Sequence, residues 1–229
     1  MLTPAELGIL ALSMKVALWG LAVSLPFAIA IAYVLARKSF PGKTLFDAVV
    51  HLPLVLPPVV VGYALLVLFG TQGPIGRLLE PLGIVLIFRW TGAALAAAIM
   101  GFPLMVRAIR LAMEAVDPRL ESAARTLGAG RARVFFTITL PLAASGVITG
   151  ALLAFARALG EFGATITFVS NIPGETRTLP LAIYTFTQVP GGDAQALRLS
   201  IFSVILSLGA LAFSEWLVRR RDPTGTLHA

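Results

Sequence analysis

Few residues of this chain have the types and spacing that chemistry needs. Phe40-Pro41-Gly42-Lys43-Thr44 contains the Gly-Lys-Thr triplet of a phosphate-binding loop. The full loop requires a glycine five residues before Gly42, so that successive backbone N–H groups can cradle phosphates. Arg37 stands there instead, so the triplet reads as a turn and offers no route to ATP hydrolysis. Arg157 and Glu161 lie four residues apart at the end of an apolar run. A guanidinium facing a shared pore would favour an oxyanion. The plainer and preferred reading is an i,i+4 ion pair at a helix end, with the arginine reaching the membrane interface. The chain has no cysteine and only two histidines, His51 and His228. That excludes disulfide scaffolds, thiolate zinc sites and thiol nucleophiles, and makes a histidine metal cluster a poor expectation. No acidic residue sits at the centre of an apolar run, where an ion-coupled porter would carry one. Glu215 is near the end of the last run and is placed to pair with Arg219. Neither ATP nor an ion gradient is handled by these residues, which leaves an external motor as the source of any work.

The elements that carry these residues are apolar. Of the 229 residues 58% are hydrophobic and only 13% charged, with a mean hydropathy of +0.90. Soluble domains carry roughly a quarter charged residues, so lipid is the natural solvent for this surface. Five apolar runs, at about Leu12–Ala36, Leu52–Phe69, Trp90–Met113, Leu142–Leu159 and Leu197–Val218, each approach the ~20 residues a helix needs to span the hydrocarbon. An unhydrated backbone must satisfy itself, so each is expected to be helical. The expected fold is all-α: a polytopic transmembrane helix bundle of about five spans.

Orientation follows from the cations. Arg37, Lys38 and Lys43 follow the first run. Arg107, Arg110, Arg119, Arg125, Arg131 and Arg133 lie at or after the end of the third, and Arg219, Arg220 and Arg221 follow the fifth. These zones hold twelve of the 18 Lys and Arg residues. The positive-inside rule assigns them to the cytoplasm, with the N-terminus outside and the C-terminus inside. The same clustering at run ends argues against nucleic-acid binding, despite a net charge of +7. Ala28-Ile29-Ala30 mimics a signal-peptide cleavage site, but the cations follow the first run instead of preceding it, which fits a retained anchor.

Prolines interrupt the runs: Pro26 in the first, Pro53, Pro57 and Pro58 in the second, and Pro103 in the third. Each removes a backbone donor and kinks or breaks a helix. Residue types alone leave two readings of LPLVLPPVVVG open: kinks made for packing, or a pathway lining around Pro57 and Pro58 that includes Arg157 and Glu161.

Between the third and fourth runs lies VDPRLESAARTLGAGRARVFFTITLP. Asp117 and Pro118 read as the N-cap and first residue of a helix. Leu120, Ala123, Ala124 and Leu127 fall on one face, with Glu121 and Arg125 on the polar side. Gly128 is placed to end the helix in a left-handed conformation. Small residues let another protein approach closely, whereas Arg131 and Arg133 suit lipid headgroups. Docking and lipid contact both remain open from the residues themselves.

This stretch resembles the EAA loop of binding-protein-dependent ABC importer permeases, with the pattern E-A-A, three residues, Gly, nine residues, I-x-L-P. Ala123, Ala124, Gly128, Ile138, Leu140 and Pro141 match at that spacing, while Ser122 occupies the Glu position and Glu121 precedes it. Two further stretches, HLPLVLPPVVVGYALLV from His51 and FARALGEFGATITFVSNIPGETRTLPLAIYT from Phe155, resemble the molybdate branch of that family. Sulfate permeases are similar here but typically differ around the Gly-Glu pair, and tungstate systems are close relatives. The resemblance covers about residues 9–218, a single type-1 transporter domain, with 219–229 as a short cytoplasmic tail.

The resemblance implies an inner-membrane permease, not an enzyme, working as two copies with two ATPase subunits and a periplasmic molybdate-binding protein. Its loop would be a coupling helix seated in a groove of the ATPase. ATP would be used by that partner, and this chain would bind no cofactor. The outer loops near 71–88 and 163–196 would meet the binding protein.

Overall fold

The computed structural model describes residues 3–221. The architecture is entirely helical among the described residues. In chain order the helices are α1 (Pro4–Arg37), α2 (Lys43–Val55), α3 (Pro58–Phe69), α4 (Pro74–Leu79), α5 (Trp90–Ala115) and α6 (Pro118–Thr126). A short α7 (Arg131–Val134) then passes through a π turn (Phe135–Thr139) into α8 (Leu140–Leu142). There follow α9 (Ala144–Leu159), α10 (Gly163–Val169), α11 (Leu179–Thr187) and α12 (Asp193–Arg221).

α1, α5 and the described first part of α12 are each long and apolar enough to cross a membrane. α2 with α3, and the segment 131–142 with α9, are bent pairs, at 113° and 69°. Five spans result if each pair counts as one. The second expected run therefore needs correction. It starts at Lys43 and not at Leu52, and the interruption expected at its prolines is a break between Val55 and Pro58. α3 has 12 residues, about 18 Å of helix, too short for a ~30 Å hydrocarbon core. Pro57 and Pro58 force the break because the second of two prolines can donate to no carbonyl and holds the first in an extended conformation. Pro57 accordingly has φ −54° and ψ 135°. Pro26, Pro53 and Pro103, by contrast, sit inside continuous helices.

The core is a contact of α1, α5 and α9 through small residues. Ala17, Ala28 and Ala32 of α1 and Ala93, Ala96 and Ala97 of α5 are buried. A Cβ placed on Gly20 would lie 2.8 Å from the Ala94 carbonyl oxygen, and one on Gly101 would lie 3.0 Å from that of Ala154. Lipid supplies no hydrophobic drive between helices, so association depends on close backbone approach of this kind. The pairings fix direction. Gly20 lies against Ala94, and Arg37 donates to the Val116 carbonyl, so α1 and α5 are parallel. Gly101 against Ala154 and Gly150 against Met105 make α9 antiparallel to α5.

Polar contacts gather at the two ends. At one end a capping box opens α1, with the Thr3 N–H donating to Glu6 Oε2 at 2.7 Å and the Glu6 N–H to Thr3 Oγ1. The other Glu6 oxygen takes Arg198 of α12 at 2.8 Å. At the opposite end lie Arg37, Arg110 and the 117–141 segment.

The stretch 163–196, expected to be an outer loop, is largely built into the bundle. Ala164, Phe168, Val169, Leu179, Leu181 and Ala182 are fully buried, and α10 packs on α3 so closely that a Cβ on Gly62 would lie 2.5 Å from the Ala164 oxygen. Helices of seven and nine residues are shorter than a span, so apolar-run length gave no signal for them. The Glu215–Arg219 pairing involves side chains outside those described, and residues 222–229, with His228, also lie outside them.

Candidate coupling surface and pathway residues

The segment after α5 folds as its caps dictate. The Asp117 Oδ1 accepts the Arg119 N–H at 2.9 Å, and Pro118 needs no partner at the first helical position. At the far end Gly128 has φ +86°. The Ala129 N–H reaches the Ala124 carbonyl and the Gly128 N–H reaches that of Arg125, the double closure of a Schellman stop. The chain then turns through Gly130 into α7.

The resulting helix shows its apolar face to the outside. Leu120 is 49% exposed and Leu127 87%. Ala123 is exposed beside them, and Ala124 is half-buried. Large exposed leucines on a short helix and its C-cap point to a contact that covers them. Ser122 is also exposed, its hydroxyl donating to the Pro118 carbonyl at 3.0 Å.

Glu121 corrects the expectation of a polar solvent side. It is only 5% exposed and points into the bundle. Arg37 Nε at the end of α1 donates to Glu121 Oε1 at 2.9 Å, and Thr139 Oγ1 of the π turn donates to the same oxygen at 2.9 Å. Arg37 Nη2 donates to the Val116 carbonyl at the α5–α6 joint, and Arg125 Nη2 stands 3.6 Å from Glu121 Oε2. The periodicity of residues 118–127 contains no trace of a cation 84 positions earlier, which is why it misplaced this side chain. Ile138 within the π turn and Leu140 just after it are half-buried, and Pro141 is exposed.

Sequence reasoning missed a second ionic cluster at this end. Arg110 of α5 donates to Asp47 of α2 and to Glu114, each at 2.8 Å, and His51 Nδ1 lies 3.1 Å from Asp47 Oδ1. With Arg107 and Leu111 these residues line a cavity of about 440 Å³. The i,i+4 spacings of Asp47 with His51 and of Arg110 with Glu114 were visible; their convergence was not.

The pathway candidates come together only in part. Glu161 is 2% exposed. Its Oε2 meets Arg157 Nη1 at 2.6 Å, and its Oε1 accepts the Ala164 N–H at 2.8 Å, capping α10. The expected i,i+4 ion pair is present, with a buried carboxylate and a partly exposed arginine. Pro58 lies against the same turn, since a Cβ on Gly163 would be 2.9 Å from its Cβ. Pro57 is exposed, and its carbonyl accepts from the Val60 and Val61 N–H groups.

A bundle with bent spans and an outward-facing helix after its third span fits a transport component, and comparison with known proteins decides the matter. The family model for binding-protein-dependent transport system inner membrane components matches residues 24–223. The chain belongs to that family. It is therefore a multi-pass protein of the inner membrane. It is 63% identical over 219 residues to the molybdenum transport system permease protein of Escherichia coli, covering 95% of this chain and 96% of that one. To the corresponding protein of Haemophilus influenzae it is 57% identical, covering 94% of each. A solved bacterial ABC transporter involved in import of the polysaccharide alginate shares the fold, with a TM-score of 0.75 at 17% identity over 96% of this chain and 80% of that one.

Proposed function

We propose that this family member is the permease subunit of an importer that moves molybdate across the inner membrane, and that α6 is the surface on which a separate ATPase subunit docks. The observation that carries the substrate is the end-to-end likeness to molybdenum permeases. The outward apolar face of α6 supports the docking role. Leu120, Ala123 and Leu127 are presented there between an N-cap and a glycine stop, with Ser122 and the half-buried Ala124 alongside. Gly128, Ile138, Leu140 and Pro141 complete the loop and return the chain to the bundle.

In this reading the cation-rich end is cytoplasmic. Two copies enclose the path, two ATPase subunits sit beneath them, and a periplasmic molybdate-binding protein delivers substrate from above. ATP is used by the partner alone, and this chain holds no cofactor. Gly42, at φ +84° ahead of α2, serves as a turn and not as part of a phosphate cradle. The transporter domain takes in residues 9–218, followed by the tail at 219–229.

Uptake in a strain lacking the chromosomal gene tests the proposal. The plasmid-borne chain, with its ATPase and binding protein, should restore high-affinity molybdate uptake. Stronger restoration of tungstate or sulfate uptake would move the assignment to that oxyanion. Uptake by the purified chain without any ATPase would make it a self-contained transporter and overturn the reading.

A further inference from the structure

We infer that Glu121 is a positioning residue that carries movement of α6 into the bundle, through Arg37 to α1 and through Thr139 to the π turn ahead of α9, and that it does not face the ATPase. The inference rests on the docking role proposed for α6.

Four stretches of chain meet at one carboxylate and one guanidinium. Glu121 belongs to α6. Arg37 ends α1 and also holds the Val116 carbonyl, at the joint where α5 hands over to α6. Thr139 closes the π turn, and its hydroxyl, itself buried, has the same carboxylate oxygen as its acceptor. The side chains of Arg37 and Glu121 are 13% and 6% exposed, so water competes weakly for these bonds. A displacement of α6 therefore has to move Arg37 and Thr139 or break charge-assisted hydrogen bonds, which are the stronger kind.

The leucines lie about a third of a turn round from Glu121, so docking and transmission use different faces of one short helix. Apolar contact receives the partner, and a buried ion pair hands the motion on. The output side is suited to receive it. The π turn is a local departure from α-geometry of the kind that recurs at functional sites. It is followed by the 69° bend into α9, the helix that carries Arg157 in its last turn and leads to Glu161. Ser122, at the position where the loop pattern has glutamate, is exposed and bonds only its own helix. An acid there is not needed for the inward connection.

The test uses the complete complex of permease, ATPase and binding protein in proteoliposomes, reading radiolabelled molybdate uptake and ATP hydrolysis together. Glu121→Ala should co-purify with its ATPase but transport at least tenfold less molybdate per ATP hydrolysed. Thr139→Val, which keeps the shape and removes the hydroxyl, should lower the same ratio about threefold. The charge-swapped pair Arg37→Glu with Glu121→Arg should recover part of the ratio lost by either single change. An unchanged ratio in both Glu121→Ala and Thr139→Val would overturn the inference. So would loss of the ATPase from Glu121→Ala during purification, since that would place the carboxylate at the partner surface. Ratio-independent transport by the unaltered chain without ATPase would instead sink the docking reading beneath it.

Discussion

Where α1 crosses α5 near Gly20 and Ala94, the two helices touch through glycine and alanine, backbone against backbone. Seventeen residues on, at Arg37, the same two helices meet through a guanidinium that serves a carboxylate and a main-chain carbonyl. The apolar middle has no solvent to expel and gains from shape alone. The cation-rich end borders water, where charged groups cost little to bring near and hold one another once covered. Shape complementarity resists sliding but is indifferent to which signal arrives. Directional bonds single out the parts that must move together. The middle of this molecule thus fixes the bundle, and the proposed coupling role falls to its end.

The largest expected effect comes from spoiling shape in the middle. Gly62→Leu pushes a branched side chain into the Ala164 backbone, where even a Cβ would stand at 2.5 Å. Correctly assembled protein, measured as monodisperse complex after detergent extraction, should fall more than tenfold. If it is recovered at wild-type yield, the close α3–α10 contact is not what holds the bundle. At the cation-rich end, Ala124→Trp obstructs the side of α6 proposed to dock the ATPase. It should leave insertion intact and lower uptake about tenfold, with ATP hydrolysis no longer tied to transport. Equal loss of yield in both variants would erase the distinction between the two regions.

Smaller effects sharpen it. Arg157→Gln strands the buried Glu161 carboxylate with one backbone donor, at a cost of about 3 kcal/mol. The double change with Glu161→Gln should recover much of that, giving a clear coupling in thermal unfolding. Uptake by the assembled Arg157→Gln protein should stay within about threefold of wild type; abolished uptake with normal assembly would make Arg157 a contact for the anion. Least of all, Gly128→Ala meets nothing in space and pays only for its left-handed backbone, about 1–2 kcal/mol. It should loosen the end of α6 and lower uptake about twofold.

Much of this is legible in the sequence. The spans, the caps of α6, the stop at Gly128 and the Arg157–Glu161 pair all follow from local patterns, because each depends on residues within a turn or a run. Three things did not. The break at Pro57–Pro58 was suspected, but its direction depends on α10, a helix too short to register as an apolar run. The inward turn of Glu121 depends on Arg37, and the Asp47–Arg110 link spans 63 positions. Such contacts are set by which helices become neighbours, and periodicity within one segment carries no information about that.

The π turn has a consequence for how this loop tolerates changes of length. A π turn fits one more residue into a helical turn than the α form does, so Phe135–Thr139 harbours a surplus position. Removing exposed Thr137 would let the ladder close as ordinary α-helix while every downstream side chain keeps its heading. A deletion within α9 itself would rotate the following face by about 100°. The nine-residue interval between Gly128 and Ile138 is thus elastic at one place and rigid at all others.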